Sequence, residues 1–199
     1  MNTYQCKDDI INADEKGQLL SEVKNISLWS NKLSYYAPKD DTGTGIRVMK
    51  VREDDDYHQT KVYKEFIKNQ KSPLEGLFEK LVNKINPKLK FFVVDYIRFA
   101  PMDDITIHKD TDTVPGRASC ITWPLYPELK DFSPVKYYND DKTFNEDVYY
   151  QEKPLIVSTA KNHCCFNGSQ EARFTFQICF YDPIERLAEL DQKGELFNV

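Results

Sequence analysis

Hydrophobic and polar residues alternate most regularly near the end of the chain, over residues 174–181. The aliphatic and aromatic positions are Phe174, Phe176, Ile178 and Phe180, and they alternate with Arg173, Thr175, Gln177 and Cys179. This period of two predicts a β-strand with one apolar and one mostly polar face. Four other segments are rich in β-branched and aromatic residues and also predict strands: 91–99, 105–110, 120–125 and 154–159.

Two segments predict helices. Residues 72–75 read Ser-Pro-Leu-Glu, which has the spacing of a capping box with proline in the first turn. Apolar residues then recur at intervals of three and four up to Ile85, and Pro87 ends the pattern because proline cannot continue a helix. Residues 184–190 predict a second, closing helix. Residues 39–45 contain two glycines and predict a flexible loop.

The order of these elements predicts the fold class. A helix precedes a run of strands that fills the second half, which is typical of an all-β or α+β core with helices packed on one face. The length of 199 residues fits one domain. We therefore expect a single domain over 1–199. Within this domain we expect helices and strands that support the core in residues 1–90, the core itself in residues 91–182, and a C-terminal helix and tail in residues 183–199.

Composition and charge narrow the class of partner. The net charge is −5 and the basic residues are scattered among acids, whereas nucleic-acid binding needs a clustered basic surface. No apolar run approaches the ~20 residues that span a bilayer, and the polar N-terminal residues do not resemble a secretory signal. Five cysteines without framework spacing are typical of reduced thiols. These features predict a cytoplasmic protein with neither a nucleic-acid nor a membrane partner.

Two of the three histidines lie in the strand-rich half, where they have the context of metal ligands. His108 and Asp110 are two positions apart, so on a strand their side chains share one face. His163 follows the predicted strand at 154–159. Two histidines and one carboxylate form the facial triad of non-haem iron(II) oxygenases, which leaves coordination positions open. Asp112 is an alternative carboxylate, and Asp110 is preferred because of its spacing from His108.

Arg173 is a further candidate residue, because burying a guanidinium among phenylalanines requires a partner. Thr175 lies on the same face of the predicted strand, and a guanidinium beside a hydroxyl is a good receptor for a carboxylate. A buried Asp or Glu is the alternative partner. Taken singly, each of these features also fits a structural role. The adjacent Cys164 and Cys165 do not predict a zinc site, because neighbouring side chains point to opposite faces of an extended chain.

Two motifs carry a family resemblance. The segment 108–110 is His-Lys-Asp after an aromatic strand, and the segment 163–167 is His-Cys-Cys-Phe-Asn, followed by Arg173. Together they resemble the proximal His-x-Asp and the distal His-x-Val-x-Asn and Arg of the 2-oxoglutarate/iron(II) oxygenase superfamily. The similarity is greatest to its prolyl hydroxylase-like and aspartyl/asparaginyl hydroxylase-like branches. Two departures are Cys165 in place of valine, and residues 102–104 where glycine is common before the first histidine.

The resemblance implies a fold, a cofactor set and roles for particular residues. The fold is a double-stranded β-helix, a jelly-roll or cupin-like core, and the cofactors are Fe(II), 2-oxoglutarate as co-substrate, and O2. The implied iron ligands are His108, Asp110 and His163. The implied 2-oxoglutarate residues are Arg173, helped by Thr175, for the far carboxylate, with Tyr96 and Arg98 as weaker candidates for lining the pocket.

The activity implied by the resemblance is hydroxylation of a C–H bond, coupled to decarboxylation of 2-oxoglutarate to succinate. A polar, aromatic insert at 137–150 favours a peptide or protein side chain as substrate, since such loops often carry specificity. One alternative is an oxygenase of a small molecule such as a free amino acid. Another is a non-catalytic β-helix binding or virion protein. His58, beside the acidic run at 53–56, is predicted to be a surface residue.

Overall fold

The structure is a computed structural model that describes residues 1–26, 29–31, 34–39, 44–51, 72–112, 116–126, 135–150 and 153–198. The acidic run at 53–56, His58 and most of the predicted loop at 39–45 lie outside the described residues. The helices of the described part are α1 (Ala13–Lys24), α2 (Glu75–Asn83) and α3 (Ile184–Gln192). None of them is long and apolar enough to cross a membrane.

The strands of the described ranges form two antiparallel sheets. They are β1 (Thr3–Gln5), β2 (Trp29–Asn31), β3 (Ser34–Lys39), β4 (Gly45–Val51), β5 (Phe91–Phe99), β6 (Ser119–Tyr126), β7 (Val135–Tyr138), β8 (Phe144–Val148), β9 (Leu155–Ser158), β10 (His163–Cys165) and β11 (Arg173–Phe180). The larger sheet has the order β1-β9-β6-β11-β5-β4-β2-β3, and the smaller has the order β10-β7-β8. Strands from the predicted support region therefore extend both sides of the larger sheet, and the predicted division of the domain stays a prediction.

Strand β11 lies between β6 and β5 in the larger sheet and separates two environments. Phe176, Ile178 and Phe180 point to the side covered by the three helices, where they join one apolar cluster. Thr175 and Gln177 point to the opposite side, where they line a cavity. The strand predicted from alternation at 174–181 is thus confirmed, and the helices cover one face of a mainly β core as expected.

Aromatic rings dominate the packing on the helix side. The ring centroid of Phe176 lies 5.5 Å from that of Tyr96, 5.7 Å from Trp123 and 6.1 Å from Phe78. The polar tip of Tyr96 is satisfied, because its hydroxyl donates to Glu22 Oε2 on α1 at 2.8 Å. Fully burying such a side chain contributes roughly 1.5–3 kcal/mol to the free energy of unfolding, so this cluster is a main source of stability.

The start of α2 differs from the prediction. The helix begins at Glu75 after Leu74, and no side chain caps it. Ser72 Oγ instead accepts a hydrogen bond from the Leu74 N–H at 2.9 Å and donates to Glu22 on α1. The capping box predicted for 72–75 is therefore wrong, because the serine hydroxyl stabilises the preceding turn and binds a carboxylate on another helix.

The strand predicted at 105–110 is also wrong as a continuous strand. Isolated bridges at Asp104 and His108 join this segment to residues 163–166, and Asp110 begins a short 3-10 helix. The backbone N–H groups of the segment donate to carbonyl oxygens of several different segments. The chain therefore bends instead of pairing along one neighbour, and this bend determines where the candidate metal ligands lie.

Candidate metal centre and its cavity

Three side chains converge beside the smaller sheet. One ligand atom from each of His108, Asp110 and His163 lies within 4.8 Å of the others, and in the described ranges they form the one cluster of this kind. His108 Nε2 lies 3.1 Å from Asp110 Oδ1, and the two imidazole centroids are 4.5 Å apart. Asp112 is exposed on the same 3-10 helix and is not part of the cluster.

Hydrogen bonds orient both imidazole rings. Nδ1 of His108 lies 2.6 Å from the carbonyl oxygen of Thr106, and Nδ1 of His163 lies 2.8 Å from that of Lys161. A carbonyl oxygen only accepts, so in each neutral ring Nδ1 carries the proton and Nε2 keeps the lone pair that a metal ion needs. Backbone hydrogen bonds in both directions between His108 and His163, at 3.0 and 2.9 Å, hold the rings side by side.

The two oxygens of Asp110 have different neighbours. Oδ1 faces His108, whereas Oδ2 lies 2.7 Å from Nε of Arg117. Both Asp110 and Arg117 are buried. The Asp110 N–H donates to the Thr159 carbonyl at 2.9 Å, and the Thr159 N–H donates to the Ala118 carbonyl at 3.0 Å. These backbone contacts keep the segments that carry Asp110 and Arg117 adjacent.

Burial and neighbouring charges set the protonation of the three side chains. Burial raises the pKa of Asp110, but the Arg117 charge and the hydrogen bond to His108 outweigh it, so the pKa lies well below its ordinary value. Burial lowers the pKa of His163 below its usual range. Burial also acts to lower the pKa of His108, but its bond to Asp110 outweighs burial and raises that pKa. An ionised carboxylate and a neutral His163 are the states that metal binding requires.

The three side chains also line a cavity with residues from both sheets. Most of the lining is aliphatic, aromatic or thiol, and polar groups come from Arg117, Thr122, Thr159, Thr175 and Gln177. The hydroxyls of Thr159 and Thr175 and the amide nitrogen of Gln177 have no hydrogen-bond partner among the described residues. Leaving a buried donor unsatisfied costs about 1–3 kcal/mol. The cavity therefore suits a ligand that brings oxygen acceptors.

Arg173 is 1% exposed and contacts two residues that line this cavity, although it is not itself a lining residue. The central carbon of its guanidinium lies 4.1 Å from the ring centroid of Phe99 and 5.1 Å from that of Tyr150, and both aromatic residues line the cavity. Burial raises the pKa of Tyr150 well above its ordinary value, and a hydrogen bond from Arg173 offsets part of that rise. The guanidinium thus packs against two aromatic lining residues, while Thr175 on the same strand face lines the cavity itself.

The other two predicted pocket residues lie on the opposite face of β5. Tyr96 is buried in the helix-side cluster, and Arg98 shares its face because side chains alternate along a strand. Ile97 and Phe99 line the cavity in their place. The prediction that Tyr96 and Arg98 line the co-substrate pocket is therefore wrong, since the pleat of β5 directs its odd-numbered residues inward.

Several cavity residues are missing from the sequence prediction, among them Gln177, Arg117 and Tyr150. Gln177 belongs to the polar set of the β11 alternation, so its inward direction could be inferred from the same pattern as that of Thr175. Arg117 precedes β6, and Tyr150 follows β8 at the end of the predicted insert. No local pattern marks these two positions, because their partners are far away in sequence.

Comparisons with known proteins give a result at the level of structure. No protein-family model and no curated protein matches the chain. An oxidoreductase of the 2OG-Fe(II) oxygenase family from Burkholderia pseudomallei is 10% identical, over 90% of this chain and 84% of its own, with a TM-score of 0.54. A prolyl-4-hydroxylase from Pseudomonas putida is 11% identical, over 90% and 91%, with a TM-score of 0.52.

A third similar structure contains a bound peptide. It is a prolyl hydroxylase from Trichoplax adhaerens, in complex with a peptide fragment of the hypoxia inducible factor oxygen degradation domain. It is 12% identical, over 94% of this chain and 85% of its own, with a TM-score of 0.54. At these identities the likeness is one of fold. The chain has the fold of the 2-oxoglutarate/iron(II) oxygenases, a mainly β jelly-roll with helices on one face, as the sequence predicted.

Proposed function

We propose that the chain is an Fe(II)- and 2-oxoglutarate-dependent dioxygenase that hydroxylates a C–H bond. The observation that carries this proposal is the convergence of His108, Asp110 and His163 on one point beside a cavity. Two imidazoles and one carboxylate suit iron(II) and leave coordination positions open. Bound iron(II) supplies the redox chemistry that couples oxygen activation to decarboxylation of 2-oxoglutarate to succinate.

In this proposal Arg173 and Thr175 hold the far carboxylate of 2-oxoglutarate. The guanidinium keeps its positive charge when buried, so it presents a fixed charge beside the cavity. The unpartnered Thr175 hydroxyl and the Gln177 amide supply further donors along the same strand face. Charge-assisted hydrogen bonds from arginine to a carboxylate are among the stronger polar contacts in proteins, which supports a dicarboxylate co-substrate.

The apolar part of the cavity has a separate role in this proposal. Ile97, Ile105 and Val157 line it, and side chains of this kind exclude water from the site. A dry site strengthens the interaction of the co-substrate with Arg173 and limits side reactions with water. Asp110 and the two histidines, held by their backbone bridges, then need little rearrangement on binding a metal ion.

The substrate class that we propose is a peptide or protein side chain. The Trichoplax adhaerens enzyme of the same fold was solved with a peptide fragment. In this chain β7 pairs with β10, which carries His163, so the hairpin formed by β7 and β8 lies beside the candidate metal centre. Phe144 and Tyr149 of that hairpin region are exposed large hydrophobic residues, and they offer contacts to an extended substrate.

Succinate formation tests the proposed function. Purified protein with Fe(II), 2-oxoglutarate and oxygen is expected to form succinate slowly without substrate, and faster with a peptide pool than with free amino acids. His163→Ala is expected to abolish both rates, whereas His58→Ala removes the third histidine and serves as the matched control. A wild-type protein that binds no iron and forms no succinate would rule out the oxygenase function.

A further inference from the structure

Arg117 makes a close side-chain contact with Asp110, one of the candidate metal ligands. Its Nε lies 2.7 Å from Asp110 Oδ2, and the two side chains are only 6% and 11% exposed. The other oxygen, Oδ1, lies beside His108 Nε2. The carboxylate is therefore shared between an arginine on one side and the point of convergence on the other.

We propose that Arg117 is a positioning residue that restricts Asp110 to one metal-facing oxygen. This inference rests on the proposed function, because it concerns how the same site would hold its metal ion. Nothing in the contact requires Arg117 to touch the metal ion or the co-substrate. Its role is to occupy Oδ2, so that Oδ1 alone is directed toward the space shared with the two histidines.

Coordination number explains why this restriction matters. A carboxylate can bind a metal ion through one oxygen or through both. A six-coordinate ion held by the two histidines and one carboxylate oxygen would keep three positions free, whereas coordination by both oxygens would leave two. A chelating 2-oxo acid takes two positions. Single-oxygen coordination by Asp110 is thus the arrangement that leaves a position for the second reactant.

The surroundings of Arg117 make the contact a stable one. The next residue, Ala118, donates its N–H to the Phe180 carbonyl at 3.0 Å and accepts from Thr159, which ties the start of β6 to two neighbours. Asp95 on β5 is a second buried carboxylate close enough to interact with the guanidinium. Burial raises the pKa of Asp95, and the positive charge of Arg117 is the main influence that lowers it. Two buried acids therefore favour the observed position of the arginine side chain.

Two matched substitutions test this role. In Arg117→Gln an amide nitrogen occupies the position of the arginine Nε and keeps a polar group beside Asp110 Oδ2. In Arg117→Met a methyl group takes that position, so the size is similar and the polar group is lost. Both remove the positive charge equally. Arg186→Met replaces an arginine by methionine on the exposed surface of α3, away from the candidate metal centre, and is the control.

Cobalt(II) is the metal probe, because its visible spectrum reports the number and geometry of coordinated atoms. We expect the Gln variant to keep the wild-type Co(II) spectrum. The Met variant is expected to bind Co(II) with a changed spectrum, and with iron its rate of succinate formation should fall about 10–100-fold, the usual range for residues that orient a metal ligand. If methionine prevents folding, judged by circular dichroism of the metal-free protein, Arg117→Ala replaces it with the same expectation.

Three outcomes would overturn the inference. The first is a Met (or Ala) variant with the spectrum and the rate of wild type. The second is an equal change in the Gln and Met variants, which would assign the effect to the overall charge of the site and not to a polar group that occupies Oδ2. The third is a wild-type protein that binds no Co(II) or iron, which would remove the proposed function as well. The first two leave metal binding by the wild type intact, so the two failures are distinguishable.

Discussion

The two faces of the larger sheet are built by the same strands and have opposite chemistry. On the helix side, Phe176 packs against aromatic rings, and the buried Tyr96 hydroxyl has a carboxylate partner. On the cavity side, Gln177 lies between Asp95 on β5 and Thr122 on β6 in the strand register. These three polar side chains are buried at adjacent positions, where an ordinary core would place aliphatic residues.

The two faces of the larger sheet contribute differently to the stability of the fold. Burial of apolar rings on the helix side stabilises the fold, whereas buried polar groups destabilise it unless they are fully paired. On the cavity side the Gln177 amide and two threonine hydroxyls have no partner among the described residues. Such groups lower the stability of the fold, and in the function proposed above they are retained because they bind the ligand.

Phe176→Ala should have the largest effect on stability. Removing a fully buried ring at the centre of the aromatic cluster is expected to lower the free energy of unfolding by about 3–5 kcal/mol, measured by urea unfolding of the metal-free protein. At temperatures where the variant is folded, its affinity for Co(II) should stay within about threefold of wild type. A large loss of metal affinity in the folded variant would contradict the separation of the two faces.

Asp95→Asn should change stability in a pH-dependent way. Burial raises the pKa of Asp95 from its ordinary 3.8 to about 7, against the opposing charge of Arg117. Between these values the folded state binds more protons than the unfolded state, so wild-type stability falls as pH rises and levels off above about pH 7. The Asn variant has no carboxyl group at position 95, so its stability does not show this fall with rising pH.

The gain from Asp95→Asn is therefore expected to grow from near zero at pH 4 to roughly 2–4 kcal/mol at pH 8. Urea unfolding of the metal-free wild type and variant across this range measures it. Asp110, Arg117 and Gln177 face the same region and are present in both proteins, so their contributions largely cancel in the difference. Parallel pH profiles for the two proteins would show that Asp95 is not the titrating group.

Tyr150→Phe should have a small effect that is confined to the co-substrate. The variant loses the hydroxyl that bonds to Arg173 but keeps the ring that packs on the guanidinium. A hydrogen bond to a charged group contributes about 1.5–3 kcal/mol, and only the part of it that orients Arg173 reaches the co-substrate, so we expect a roughly fivefold higher KM for 2-oxoglutarate with kcat little changed. Tyr126→Phe is the control, because that hydroxyl bonds to Glu171 and the residue does not line the cavity. An equal change in both variants would exclude a specific role for the Tyr150 hydroxyl.

The extent to which the fold is predictable differs between elements. The pattern of β11 is visible in sequence because its two faces differ in polarity at every step. Helix α1 is not visible in the same way, since its buried positions include Glu15 beside Leu19 and Val23. Glu15 is held by a capping box with Asn12 and by Lys80 of α2, and only the folded chain brings Lys80 there.

The candidate site shows the same limit. Spacing and family resemblance were sufficient to select His108, Asp110 and His163, which the structure brings together. The predicted reason for two of them, a shared strand face, was wrong, because a bridge and a 3-10 helix position His108 and Asp110 instead. Arg117 could not be identified from sequence, because its contact with Asp110 depends on the packing of segments that have no common local pattern.

Binding of 2-oxoglutarate is the most direct test of the function assigned to the cavity face. Isothermal titration of the anaerobic protein, with and without Fe(II), measures it. We predict one 2-oxoglutarate per chain, bound only when metal is present. Arg173→Gln should weaken this binding at least about 30-fold, since a charge-assisted contact to a carboxylate contributes roughly 1.5–3 kcal/mol or more when buried. Equal affinity in Arg173→Gln and wild type, or no metal-dependent binding in wild type, would contradict the proposed site.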